Sequence, residues 1–192
     1  MMVLGITGGI GSGKSNIAKI FKSLGWSLFN ADNVAKEILE SHEIRPSISD
    51  LFGEEIIIDG KVDRAGIAKQ VFSNEKKLES LNAIIHPRVF DAFEKFKADS
   101  FNELIIKEAA ILFETGSYTQ NDCNLLVTSP ESLRIERVMK RDNVSRADVE
   151  ARVAKQWPDE KKIPLADFVI ENDSNKSLIL QVIKIHENLS KN

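Results

Sequence analysis

The sequence predicts an α/β domain, a five-stranded and mainly parallel sheet flanked by helices, with one long helical insert and one shorter insert. Three observations predict it. Five short apolar runs, at 3–7, 26–30, 103–107, 124–128 and 167–171, alternate with helix-like segments along the 192 residues, and such alternation builds a sheet covered by helices. Segment 14–24 carries Ile17, Ala18, Ile20, Phe21 and Leu24 on one helical face with Gly25 to stop it, as a first crossover helix should. The gap between the second and third runs, roughly seventy residues, is far too long for one crossover.

That gap holds helix-like patterns at 34–39, 48–52, 65–72 and about 78–96, punctuated by Gly53, Gly60 and Pro87. His86-Pro87 reads as a helix-terminating turn. A second insert follows the fourth run: 130–141 reads as a helix, and Ser145-Arg146-Ala147-Asp148 is a capping-box start for another. The predicted layout is a core of 1–30, 100–130 and 163–192, an insert of 31–99 and a small lid of 131–162.

Composition bounds the partners. Hydrophobic residues are 42% and charged residues 29% of the chain, enough for a real core, and the net charge is -3. Nothing overall draws such a chain to nucleic acid or anionic membrane, so a polyanionic ligand must be met by locally clustered Lys and Arg. The one cysteine, Cys123, cannot form an internal disulfide and sits in an apolar run, where it reads as a buried, inert thiol. The start Met1-Met2-Val3-Leu4-Gly5-Ile6-Thr7 lacks the basic and apolar regions of a signal peptide, and no apolar stretch reaches bilayer length. The expectation is a soluble, cytoplasmic monomer with neither nucleic-acid nor membrane partners.

Gly8-Gly9-Ile10-Gly11-Ser12-Gly13-Lys14-Ser15 matches G-x-x-x-x-G-K-[ST] in full, between a β-branched run and a helix. Glycines let the backbone wrap around phosphate oxygens, and the converging N–H groups and the helix N-terminus supply positive potential. Lys14 sets a point charge against the β- and γ-phosphates, and the Ser15 hydroxyl ligates Mg²⁺. The motif points to a nucleoside triphosphate.

A P-loop does not by itself say kinase, so the acceptor side must decide. The second run ends Phe29-Asn30-Ala31-Asp32, which puts a carboxylate at the sheet's carboxyl edge. If that run lies near the P-loop, Asp32 can orient an acceptor hydroxyl and take its proton; equally, it can N-cap a helix beginning at Asn33. In the second insert, Arg134, Arg137, Lys140, Arg141, Arg146 and Arg152 cluster where a flap could close over the nucleotide, with Arg137 and Arg141 on one helical face. Guanidinium groups there would stabilise charge on the transferring phosphoryl group. Interleaved acids make a solvated face the alternative. That alternative is preferred for Arg134 and Arg152, catalysis for Arg141.

At this point the chain resembles a known family, dephospho-CoA kinase. The resemblance runs over residues 5–15, Asn30-Ala31-Asp32, Phe52-Gly53, Val62-Asp63-Arg64, Val71-Phe72, His86-Pro87, Leu112-Phe113-Glu114, Arg137 to Arg141-Asp142, Gln156, and 166–172. It implies a core like that of nucleoside monophosphate kinases, a helical CoA-binding insert and a lid. It implies transfer of the γ-phosphoryl group of ATP to the ribose 3′-hydroxyl of dephospho-CoA. Lys14, Asp32 and Arg141 would then be catalytic, Asp32 as the base. Gly9, Gly11, Ser12, Gly13, Lys14, Ser15, Asn16, Arg137 and Asn172 would hold ATP, Ser15 the Mg²⁺, and Thr7, Asp32 and Arg64 the acceptor.

Three departures stand out. Asn30 replaces the usual first Asp of Asp-Ala-Asp. Ala109-Ala110-Ile111-Leu112, preceded by Glu108, replaces a Pro-Leu-Leu segment. Asn16 replaces the usual Thr after Ser15. Glu108 reads either as part of the Mg²⁺ surroundings or as an ordinary strand-end carboxylate. The nearest rival is another small-molecule kinase, whose acceptor insert would be shorter. A GTP-dependent switch is disfavoured, because Asn175-Lys176-Ser177-Leu178 lacks the Asp of the guanine motif and Asp50-Leu51-Phe52-Gly53 follows a helix-like run.

Overall fold

The computed structural model describes residues 1–72, 74–173 and 175–190. The expected segment 163–192 therefore includes positions 174, 191 and 192, which lie outside the described residues. Chain contacts divide the molecule into two units, one of Met1–Asn30 with the chain from Ser100 onward, the other Ala31–Asp99.

The first unit begins with β1 (Met2–Thr7), the P-loop and α1 (Lys14–Ser23), then β2 (Ser27–Asn30). In the second unit follow α2 (Ala31–Glu40), α3 (Arg45–Phe52), a hairpin of β3 (Ile57–Ile58) and β4 (Lys61–Val62), α4 (Arg64–Phe72) and α5 (Glu75–Asp99). The chain returns to the first unit with β5 (Leu104–Glu108), β6 (Cys123–Thr128), α6 (Glu131–Asp142), α7 (Arg146–Val153), α8 (Asp159–Lys162), β7 (Phe168–Glu171) and α9 (Leu178–Leu189).

The main sheet has the order β2-β5-β1-β6-β7 and every pairing in it is parallel. Strands β2 and β5 lie to one side of β1, β6 and β7 to the other. The chain thus switches direction across the sheet at β1, and the crevice beyond the carboxyl end of such a strand is the usual ligand site. One expectation changes here. β2 does not border the P-loop strand, because β5 pairs between them. Glu108, the last residue of β5, is in register with both Ile6 and Asn30.

Leu4, Ile6, Ile17, Phe21, Trp26, Ile106, Leu125 and Val182 form a continuous buried core between sheet and helices, each contributing on the order of 1.5–3 kcal/mol relative to exposure. Trp26 also donates its indole N–H to His186 Nδ1 at 3.0 Å. Ser145 and Asp148 form the capping box expected at the start of α7.

The second unit has its own core of Ile44, Ile48, Phe52, Ile56, Val62, Ile67 and Ile85. Two features differ from the sequence reading. The hairpin was not foreseen, although its two-residue loop, Asp59-Gly60, carries the Asp-Gly pair that such turns favour, and both residues take positive φ. Pro87 does not end a helix: α5 runs through it for 25 residues. Proline in a helix interior costs about 3 kcal/mol, because it cannot donate to the carbonyl four residues back and crowds it. Burial of Ile85 and Phe93 on either side offsets that cost, and Arg88 Nη1 reaches back to the Ile84 carbonyl at 2.7 Å.

Candidate active site

The P-loop is braced from behind by two side chains. Asn172, just past β7, donates Nδ2 to the Ser12 carbonyl at 2.7 Å in a buried bond. Gly13 has φ +97°, which an L side chain rarely adopts, and a Cβ there would strike the Asn172 carboxamide. Arg137 of α6 donates Nη1 to the Gly11 carbonyl at 3.4 Å and to Ser129 Oγ at 3.1 Å, and Nη2 to the Asn172 carbonyl oxygen and Oδ1, both at 3.3 Å. Arg137 and Asn172, both assigned to ATP by the family resemblance, therefore meet each other and the loop. Ser12 is fully buried, and its hydroxyl finds no partner among the described residues.

Lys14 curls along its own loop, its ammonium 2.9 Å from the Gly8 carbonyl and 3.4 Å from that of Gly9. The side chain of Asn16 is exposed, while its amide donates to the Gly13 carbonyl at 3.0 Å. The N-terminus of α1 directs its helix dipole at the loop, with the lysine alongside.

Glu108 reaches the same loop from β5. Its Oε1 accepts the Ser15 hydroxyl at 2.7 Å and its Oε2 accepts Asn30 Nδ2 at 2.9 Å. At 3% exposure it is far from an ordinary strand-end carboxylate. A hydroxyl, a carboxylate and a carboxamide so gathered are the hard oxygen donors that Mg²⁺ prefers. Among the described residues no cluster of three or more His, Cys, Asp or Glu could cage a metal.

Thr7 ends β1 fully buried, its hydroxyl 3.4 Å from the Ala110 carbonyl. Arg134, read from sequence as part of a solvated face, is instead 8% exposed. A Cβ on Gly9 would collide with its guanidinium, so that glycine makes room for the arginine. Its Nη2 lies 3.6 Å from Glu131, and its buried Nε has no partner among the described residues. The missed signal was position: Arg134, Ile135 and Val138 are the buried residues of α6, so Arg134 sits on its inner face.

Arg141 is exposed and forms a bidentate pair with Asp142, Nε at 2.7 Å and Nη2 at 3.0 Å, while Arg152 donates to the same carboxylate at 3.1 Å. The hydrogen bond from Arg141, then that from Arg152, holds the Asp142 carboxyl below the usual range. For Arg152 the surface reading stands. In the second unit, Asp32 lies half-buried in the first turn of α2, which begins at Ala31. It is therefore not the N-cap of a helix starting at Asn33. Arg64 opens α4, exposed, with Nη1 2.9 Å from Glu40. Neither fragment of a GTP switch survives: Asp50 is inside α3, and Ser177 caps α9.

A family model for dephospho-CoA kinase matches residues 2–177. The chain belongs to the dephospho-CoA kinase family. A dephospho-CoA kinase from Fusobacterium nucleatum is 37% identical over 176 residues, covering 91% of each chain. Among solved structures, a Thermus thermophilus protein superposes with a TM-score of 0.87 at 33% identity, covering 99% of this chain and 97% of that one. A dephospho-CoA kinase from Campylobacter jejuni gives 0.70 at 28% identity, covering 98% and 97%. The family match spans residues 31–99 and 131–162 as well as the P-loop, so it reaches well beyond the part that all such nucleotide-binding kinases share.

Proposed function

We propose that this protein transfers the γ-phosphoryl group of ATP to the ribose 3′-hydroxyl of dephospho-CoA, giving CoA and ADP. The observation that carries this reading is the extent of the family match. Residues 2–177 include the whole Ala31–Asp99 unit, where an acceptor-binding insert belongs, and not merely the generic P-loop.

On this reading the loop of residues 9–16, with the Lys14 ammonium, holds the phosphates, and Arg137 and Asn172 keep the loop in shape beneath the nucleotide. Ser15 would hold Mg²⁺, with Glu108 and Asn30 orienting it from behind. When bound, the ion neutralises charge on the β- and γ-phosphoryl oxygens. Asp32 orients the 3′-hydroxyl and accepts its proton. Thr7 and Arg64 serve the acceptor. Arg141, released from Asp142 as the 131–162 lid segment closes, meets charge developing on the transferred group. The protein works as a cytoplasmic monomer, with no nucleic-acid or membrane partner. No described helix is long and apolar enough to cross a membrane.

The test is direct. Purified protein with MgATP and dephospho-CoA should yield CoA, detected by mass spectrometry as dephospho-CoA that has gained one phosphoryl group. Phosphorylation of a different small acceptor, with dephospho-CoA untouched, would overturn the assignment.

A further inference from the structure

The phosphate loop is also held from the side, by a residue given no role so far. Gln156, beyond α7, accepts the Ile10 amide through Oε1 at 2.7 Å and donates Nε2 to the Ala110 carbonyl at 3.3 Å. Ala110 lies two residues past Glu108, and its carbonyl is the one faced by the Thr7 hydroxyl. One carboxamide thus ties the first half of the loop to the segment following β5.

Gln156 is itself anchored. Glu114 Oε1 accepts the amide of the next residue, Trp157, at 3.0 Å and lies 2.9 Å from Lys162 Nζ. Lys162 is fully buried, and a buried ammonium persists only where a carboxylate meets it. The pair therefore fastens both ends of 157–162 to the segment after β5.

We propose that Gln156 is a positioning residue for the nucleotide: it presets the Gly9–Ile10 turn of the phosphate loop, and the Glu114–Lys162 pair keeps it there. With the Ile10 N–H engaged sideways by Gln156 and Arg134 packed against Gly9, that peptide plane is set before any phosphate arrives. A cradle ordered in advance spares the ligand the entropy of ordering it. The inference rests on the ATP-dependent kinase reading above.

Gln156→Met keeps the length and bulk of the side chain and loses both hydrogen bonds. Its Kd for ATP by calorimetry should rise about three- to tenfold, while the KM for dephospho-CoA stays within about twofold. Gln156→Glu still accepts from Ile10 but cannot donate to Ala110, and it sets a negative charge beside an anion site. Its loss of ATP affinity should be larger and should shrink in high salt. Hydrogen exchange at the Ile10 amide should be slow in the wild type and fast in Gln156→Met. Wild-type ATP affinity in Gln156→Met would overturn the proposal, and so would an equal loss for both substrates, which marks general loosening. Should Gln156→Met not fold, the same comparison in Gln156→Glu decides. ATP binding is measured without acceptor, so failure here is distinct from failure of wild-type protein to make CoA.

Discussion

The carboxylate of Glu108 accepts the Ser15 hydroxyl at 2.7 Å, so the last residue of β5 grips the P-loop serine assigned to Mg²⁺. The same carboxylate holds Asn30, at the end of β2, on its other oxygen. A residue behind a metal ligand typically contributes ~10–100-fold to metal affinity or activity. Glu108→Ala should therefore raise the Mg²⁺ concentration needed for half-maximal turnover on about that scale. A Mg²⁺ titration of the initial rate checks it, and an unchanged titration curve would reduce Glu108 to a structural contact.

Asp32→Asn isolates the acceptor base. A positioned general base contributes ~10²–10⁴-fold, or roughly 3–5 kcal/mol of barrier. The substitution should cut kcat on that scale while calorimetric ATP affinity changes little. Asp32 lies within the first turn of α2, which begins at Ala31, and so is not its N-cap. Its helix-dipole contribution is about 0.3–1 kcal/mol, so the thermal midpoint should move by only a few degrees. Equal turnover in the two proteins would leave Asp32 a helix-terminus charge and turn the search for a base to Glu108.

Arg141→Ala separates transition-state from ground-state binding. Arg141 pairs with Asp142 at the surface, and such pairs contribute ~0–1 kcal/mol, so stability should hardly change. Steady-state kinetics should show kcat falling far more than dephospho-CoA binding weakens. A defect confined to the KM for ATP would make Arg141 a nucleotide clamp instead.

Cys123 supplies a pH test. Burial, with the Asp167 and Asp122 carboxylates adding to it, pushes the thiol up to about 12. A thiol raised above its unfolded value favours the folded state at pH values below that unfolded value. This contribution is lost as pH climbs toward 12. The native protein should therefore resist iodoacetamide at pH 8.5, and Cys123→Ala should remove part of the alkaline decline in thermal midpoint. Rapid alkylation of the native protein would show the thiol to be accessible.

Much of the site was legible because it is local. Residues 8–15 specify their own turn through glycines and a lysine at fixed offsets. The strands and α1 follow from apolar runs and helical spacing. Pro87 misled because a local penalty was weighed without the tertiary burial of Ile85 and Phe93 that offsets it. Arg134 misled because charge alone suggested solvent, whereas its face of α6 is the one that packs.

By itself, then, the sequence determined a P-loop between a strand and a helix, the residues that could serve it, and two inserts of the right length. Those properties depend on neighbours in the chain. Only the tertiary structure decided that β5 lies between β1 and β2, and that Glu108 consequently stands between Ser15 and Asn30. It alone decided that Arg134 lies against Gly9 and that Gln156 crosses 146 residues to hold Ile10. Strand order and packing of this kind are chosen by contacts between distant segments, whose free energy no local pattern encodes.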